Sequence, residues 1–157
     1  MKICVIEDSQ QKLDKIISLV DLMFPKENVE TFGSYQSGLK YIKRNHPELV
    51  ILDMTLPTFD RVAGKREGRM RPFGGVDIMR KMQLKDIKSK VIVITQFSIF
   101  NDGDNKVDFN DLVLNCKKEF DGIFIGGVKF SHSTDHWQSD FDSIIKTGFL
   151  SDYNTNR

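Results

Sequence analysis

A chain of 157 residues is long enough for one domain with a substantial core, and a second domain is not expected. Its 23 basic and 22 acidic residues leave a net charge of +1, so no global field favours nucleic acid or an anionic membrane. The N-terminal apolar run, residues 3–6, is too short for a secretory signal or a membrane span, which points to the cytoplasm. Two cysteines, Cys4 and Cys116, show neither metal-ligand spacing nor a disulfide framework and read as small hydrophobes.

Residues 2–6 form an apolar strand, after which Ser9 can cap a helix whose Leu13, Ile16, Ile17, Val20 and Phe24 fall at helical spacing. Pro25 closes that helix, residues 29–32 read as a short strand, and Gly33 as a turn. Tyr35, Leu39 and Ile42 mark the buried stripe of a second helix that ends before Pro47. Residues 49–52 are wholly apolar, as a strand covered on both faces should be. A third helix follows over 75–84, a strand over 91–94, a fourth helix over 109–120, a strand over 123–128 and a last helix over 135–147. Five strands alternating with five helices predict a doubly wound parallel sheet of the α/β class, with residues 1–150 as one domain and 151–157 as a frayed tail.

In such a sheet the carboxyl ends of the strands share one edge. Glu7 and Asp8, Asp53, Thr95 and Lys129 all stand at strand ends, so residues scattered in sequence can converge. Three acids offer the hard oxygen donors that magnesium prefers, while a hydroxyl and an ammonium can meet the charge of a transferring phosphoryl group. The set suits magnesium-assisted phosphoryl transfer onto Asp53 as nucleophile.

The segments Val5-Ile6-Glu7-Asp8, Leu49-Val50-Ile51-Leu52-Asp53-Met54-Thr55-Leu56-Pro57, Gly74-Gly75-Val76-Asp77-Ile78, Val91-Ile92-Val93-Ile94-Thr95 and Val128-Lys129 run in the order of a known family. Together they resemble the receiver domain of bacterial response regulators, a CheY-like, flavodoxin-like fold. That resemblance implies that Asp53 is the phosphoacceptor and that Asp8, Asp53 and the main-chain carbonyl of Thr55 hold Mg2+, with Glu7 helping through water. It implies that Thr95 and Lys129 read the phosphoryl group. The donor would be a histidine kinase or a histidine phosphotransfer protein, and the output contact with a downstream protein that the sequence does not identify. Self-phosphorylation and dephosphorylation are chemistry, yet the role is signalling rather than metabolic catalysis.

The chain also departs from the family pattern. Residues 58–73 are an insertion after Pro57 that carries Arg61, Lys65, Arg66, Arg69 and Arg71 against Asp60 and Glu67, and residues 96–107 are an extended loop. Phe130 follows Lys129 where the family usually has proline, Gly126 stands where it has a switch aromatic, with Phe124 or Phe97 as substitutes, and Gln96 is bulkier than the residue usual after Thr95. These departures favour an alternative, a receiver-fold binding module that does not use phosphorylation.

Other patterns fail on inspection. Asp102, Asp104 and Asp108 lack the glycine and glutamate of a calcium loop, with Val107 and Val113 at those positions. His132 and His136 lack the glutamate of a zinc protease helix and flank a cap expected at Ser133 or Thr134. Gly126-Gly127-Val128-Lys129 lacks phosphate-loop spacing, and no aromatic platform accompanies the arginines to bind nucleic acid.

Overall fold

The computed structural model describes residues 1–65 and 68–151. Arg66 and Glu67 of the insertion, and residues 152–157 of the expected tail, lie outside them. The chain forms β1 (Lys2–Ile6), α1 (Gln10–Met23), β2 (Asn28–Phe32), α2 (Tyr35–Asn45), β3 (Leu49–Leu52), β4 (Leu56–Pro57), β5 (Met70–Arg71) and α3 (Gly74–Leu84). It continues with β6 (Lys90–Thr95), β7 (Ile99–Asp102), β8 (Asn105–Asp108), α4 (Phe109–Glu119), β9 (Phe124–Lys129), α5 (His136–Ile144) and a wider π-helical stretch, Ile145–Leu150. A five-stranded sheet of order β2-β1-β3-β6-β9 is parallel throughout, the doubly wound sheet that the alternation predicts.

Alternation along each strand feeds two cores. Cys4, Ile6, Val50, Leu52, Val91 and Val93 face a core with α2, α3 and α4. Ile3, Val5, Leu49, Ile51, Ile92 and Ile94 face a core with α1 and α5, closed by Trp137, Phe141 and Phe149. Burial of both faces explains why β3 has no polar residue: each of its four side chains leaves water. Both cysteines are buried and unpaired, and burial pushes their thiols above the ordinary range, Cys116 to about 12.

One expectation about a loop needs correction. Residues 96–107 are largely a hairpin, in which β7 and β8 pair antiparallel from Ile99 with Asp108 to Asp102 with Asn105. Gly103, at φ +65°, supplies the left-handed turn, and Phe100 anchors the hairpin by burying its ring near Phe73 and Phe97. Gly103-Asp104 between two short segments is a hairpin signature. The insertion likewise begins and ends as a ladder, with Leu56 opposite Arg71 and Pro57 opposite Met70. It is tied to α2, because Thr58 accepts from the Gln36 amide at 3.1 Å and Asp60 accepts from the Ser37 hydroxyl at 2.8 Å. The N-cap of α5 is Asp135 rather than Ser133 or Thr134, and Ser133 instead turns its amide to Ser131 Oγ.

The start of α3 rests on the end of β3. Gly75 donates to the Met54 carbonyl at 2.9 Å, and a Cβ there would lie 2.7 Å from Leu52 Cδ1 and 3.2 Å from the Asp53 carbonyl oxygen. Gly75→Ala is therefore expected to cost about 1–3 kcal/mol of stability through overpacking, read from the urea midpoint. An unchanged midpoint would show that helix and strand end are not in close contact.

Candidate functional site

Glu7 follows β1 and Asp53 follows β3, neighbouring strands, so the parallel register brings the two acids side by side with Asp8. Among the described residues these three form a cluster in which each offers an oxygen within 4.8 Å of the others. Glu7 and Asp53 are almost fully buried, at 3% and 6% exposure, and Asp8 is half-buried. Such a crowd of carboxylates needs positive charge nearby.

That charge comes from Lys12, a residue absent from the expected set. Ser9 caps α1 by accepting from the Lys12 amide, and the helix turns Lys12 inward, one and two turns before buried Ile16 and Val20. Only 1% of Lys12 is exposed. Its Nζ donates to the Ile94 carbonyl at 2.7 Å, and lies 2.6 Å from Glu7 Oε2 and 3.1 Å from Asp53 Oδ2, so three ammonium protons face three oxygens. Glu7 Oε2 receives no hydrogen bond of regular geometry and is held by the lysine's charge. The remaining oxygens are also fixed, since Glu7 Oε1 accepts from the Ser9 amide at 3.0 Å and Asp53 Oδ1 from the Met54 amide at 2.7 Å. Phe130 closes the pocket, with its ring centroid 5.8 Å from the ammonium and Trp137 behind it. The spacing of Lys12, Ile16 and Val20 is the sequence signal for this residue: a lysine on the buried stripe of a helix.

The other expected residues are placed as follows. Thr95 is fully buried, and its hydroxyl accepts from the Phe97 amide at 3.4 Å. Lys129 is its register partner across β6 and β9, but its ammonium donates to Ser98 Oγ and sits 5.9 Å from the Phe109 ring centroid. The bond from Lys129 to Phe130 is trans, and the Phe130 amide donates to the Thr95 carbonyl at 2.8 Å. Thr55 turns its hydroxyl to the Pro72 carbonyl at 3.0 Å, tying the loop after Asp53 to the residues before α3. Gly126 leaves no room for an aromatic side chain, because a Cβ there would lie 2.7 Å from Ile144 Cδ1. Of the suggested substitutes, Phe124 is buried in the α4-side core, and Phe97 is 44% exposed beside Phe100. From the insertion, Arg61 reaches Asp8 Oδ2 at 3.4 Å, while Arg71 stacks 4.0 Å from the Tyr35 ring centroid and pairs with Asp77.

The donor set suits a small hard cation, since three carboxylates converge with no nitrogen or sulfur ligand among them. Lys12 already stands between two of the three.

In fold, the chain resembles the CheY-like receiver domains of response regulators. It superposes on a response regulator receiver domain protein from Clostridium thermocellum with a TM-score of 0.62 at 22% identity, covering 98% of each chain. It superposes on the Mn2+-bound form of the response regulator Rcp1 with a TM-score of 0.64 at 14% identity, covering 95% of this chain and 94% of that one. Among curated sequences it is 24% identical over 142 residues to the Detocs response regulatory protein DtcB of Enterobacter cloacae, spanning 89% of this chain and 95% of that protein. It is 29% identical over 153 residues to the uncharacterized protein y4jR of Sinorhizobium fredii, spanning 96% and 98%. No protein-family model matches the chain. Among the described residues no helix is long and apolar enough to cross a membrane.

Burial, reinforced by the charge of Asp53 and offset by Lys12, raises the Glu7 carboxyl from 4.5 to about 7. Between those values the folded protein binds more protons than the unfolded chain, so the contribution of Glu7 to stability is full at low pH and falls as pH rises toward 7. In metal-free buffer, stability by urea unfolding at about pH 5 and about pH 7.5 is expected to show this decline, and Glu7→Gln to reduce it. An equally steep decline in Glu7→Gln would remove Glu7 as its source.

Proposed function

We propose that the protein is a phosphoacceptor receiver of a two-component phosphorelay, with Asp53 as the acceptor. The observation that supports this best is the buried Asp53 carboxylate, set beside Glu7 and Asp8 at the carboxyl edge of a receiver-fold sheet. The donor is a phosphohistidine on a histidine kinase or a histidine phosphotransfer protein. A carboxylate oxygen of Asp53 forms a bond to phosphorus while the phosphorus to imidazole-nitrogen bond breaks, and the nitrogen keeps the electron pair and takes up a proton. The product is an acyl phosphate whose hydrolysis returns the carboxylate.

Magnesium, held by Asp8, Asp53 and the Thr55 carbonyl with Glu7 nearby, would supply charge neutralisation to the transferring group. The Met54 amide orients the acceptor by holding Oδ1. Thr95 and Lys129 respond after transfer, which requires Lys129 to leave Ser98 and reach across to the new charge. Output is contact with a downstream protein in the cytoplasm. The insertion reaches the rim of the site through Arg61 and offers basic side chains to the kinase or target.

Two observations favour a second reading, a binding module that works without phosphorylation: the Lys129 ammonium is engaged by Ser98, and Lys12 already holds Glu7 and Asp53. Intact mass separates the two. Incubation with acetyl phosphate and Mg2+ is expected to add a single phosphoryl group to the wild type and none to Asp53→Asn, whose amide is a poor nucleophile. No added mass in the wild type supports the binding module, and label retained in Asp53→Asn moves the acceptor elsewhere.

A further inference from the structure

We propose that Lys12 is the resident counter-cation of the acceptor site and competes with the divalent cation for the same carboxylates. This rests on the reading of Glu7, Asp8 and Asp53 as a cation-binding acceptor cluster. Three observations carry it. The Lys12 ammonium touches two of the three acids, at 2.6 Å from Glu7 and 3.1 Å from Asp53, so it holds oxygens that a metal needs. It is locked there by the Ile94 carbonyl at 2.7 Å and by the Phe130 ring, with its stem buried along α1. The lysine at the end of β9 does not share this place, because its ammonium is bonded to Ser98.

The consequence is a site whose negative charge is partly offset before any metal arrives. A fixed ammonium in contact with carboxylates repels a second cation from the same oxygens. The Asp53 carboxylate is thereby held in one orientation, with Oδ2 on Lys12 and Oδ1 on the Met54 amide, at metal concentrations too low to fill the cluster. Divalent cation must either draw a carboxylate oxygen away from Lys12, which stays in its buried pocket, or bind through Asp8 on the outer side of the cluster, where exposure is greater.

Isothermal titration calorimetry with MgCl2 on the unphosphorylated protein tests this directly. Lys12→Met is expected to bind Mg2+ about tenfold more tightly than wild type, since removing a contacting charge shifts such equilibria by about one pKa unit or more. Lys15→Met removes an equal charge from the exposed side of α1, where Lys15 reaches His132, and is expected to leave affinity within about twofold because solvent screens it. If Lys12→Met does not fold, Glu7→Gln with and without Lys12→Met makes the same comparison with the buried charge reduced on both sides, and the double variant should bind about tenfold more tightly than Glu7→Gln. Equal affinity with and without Lys12 overturns the proposal, as does the absence of Mg2+ binding in every variant. Because the titration needs no phosphoryl transfer, failure of acetyl phosphate to label Asp53 defeats the phosphorelay reading without touching this result. Labelling with unchanged Mg2+ affinity defeats the competition alone.

Discussion

One ammonium group ties together the ends of three neighbouring strands. Lys12 enters from α1 and meets Glu7 after β1, Asp53 after β3 and the carbonyl of Ile94 near the end of β6. A buried cation must find partners for all its protons, and a buried pair of carboxylates must find positive charge; each requirement satisfies the other. Truncating one side of such a buried pair typically costs about 3–5 kcal/mol, far more than the exposed contact of Arg61 with Asp8 contributes. The clamp thus fixes the helix to the sheet edge and the Asp53 carboxylate to the helix in one interaction.

The rest of the site is arranged around that clamp. Phe130, where the family pattern has proline, places its ring under the ammonium, and its amide stitches β9 to the end of β6 through Thr95. Lys12 and Phe130 therefore act together, one supplying charge and the other an electron-rich, water-excluding wall. On the opposite side of β9, Lys129 lies over Phe109 of α4 and against Ser98 at the root of the β7–β8 hairpin. The two lysines divide the site between them: one is buried against Asp53, and the other lies beside the hairpin and α4.

Much of this was legible in the amino-acid sequence, for identifiable reasons. Unbroken apolar runs such as 49–52 and 91–94, too short for helices of their own, read as strands buried on both faces, and their alternation with 3.6-period stripes leaves few topologies. Parallel pairing then requires Glu7 and Asp53 to meet, because β1 and β3 are neighbours whose carboxyl ends align. The hairpin was harder to read because its strands are mostly polar, with Phe100 the one fully buried side chain that holds it down. Lys12 was hidden by chemistry: lysine usually marks the solvated face of a helix, and only its spacing with Ile16 and Val20 reveals the buried one. The aim of Lys129 depends on where the Ser98 hydroxyl comes to rest, a tertiary detail that periodicity does not carry.

The central claim is that Asp53 is an acceptor whose partner cation is Lys12. A crystal structure of the protein with Mg2+ and beryllofluoride, a mimic of the phosphoryl group, tests it most directly. The account predicts beryllofluoride on an Asp53 oxygen, with the Lys12 ammonium still within hydrogen-bond distance of the Asp53 carboxylate or a fluoride. Beryllofluoride on another residue, or Lys12 withdrawn to solvent with Lys129 in its place, would contradict it.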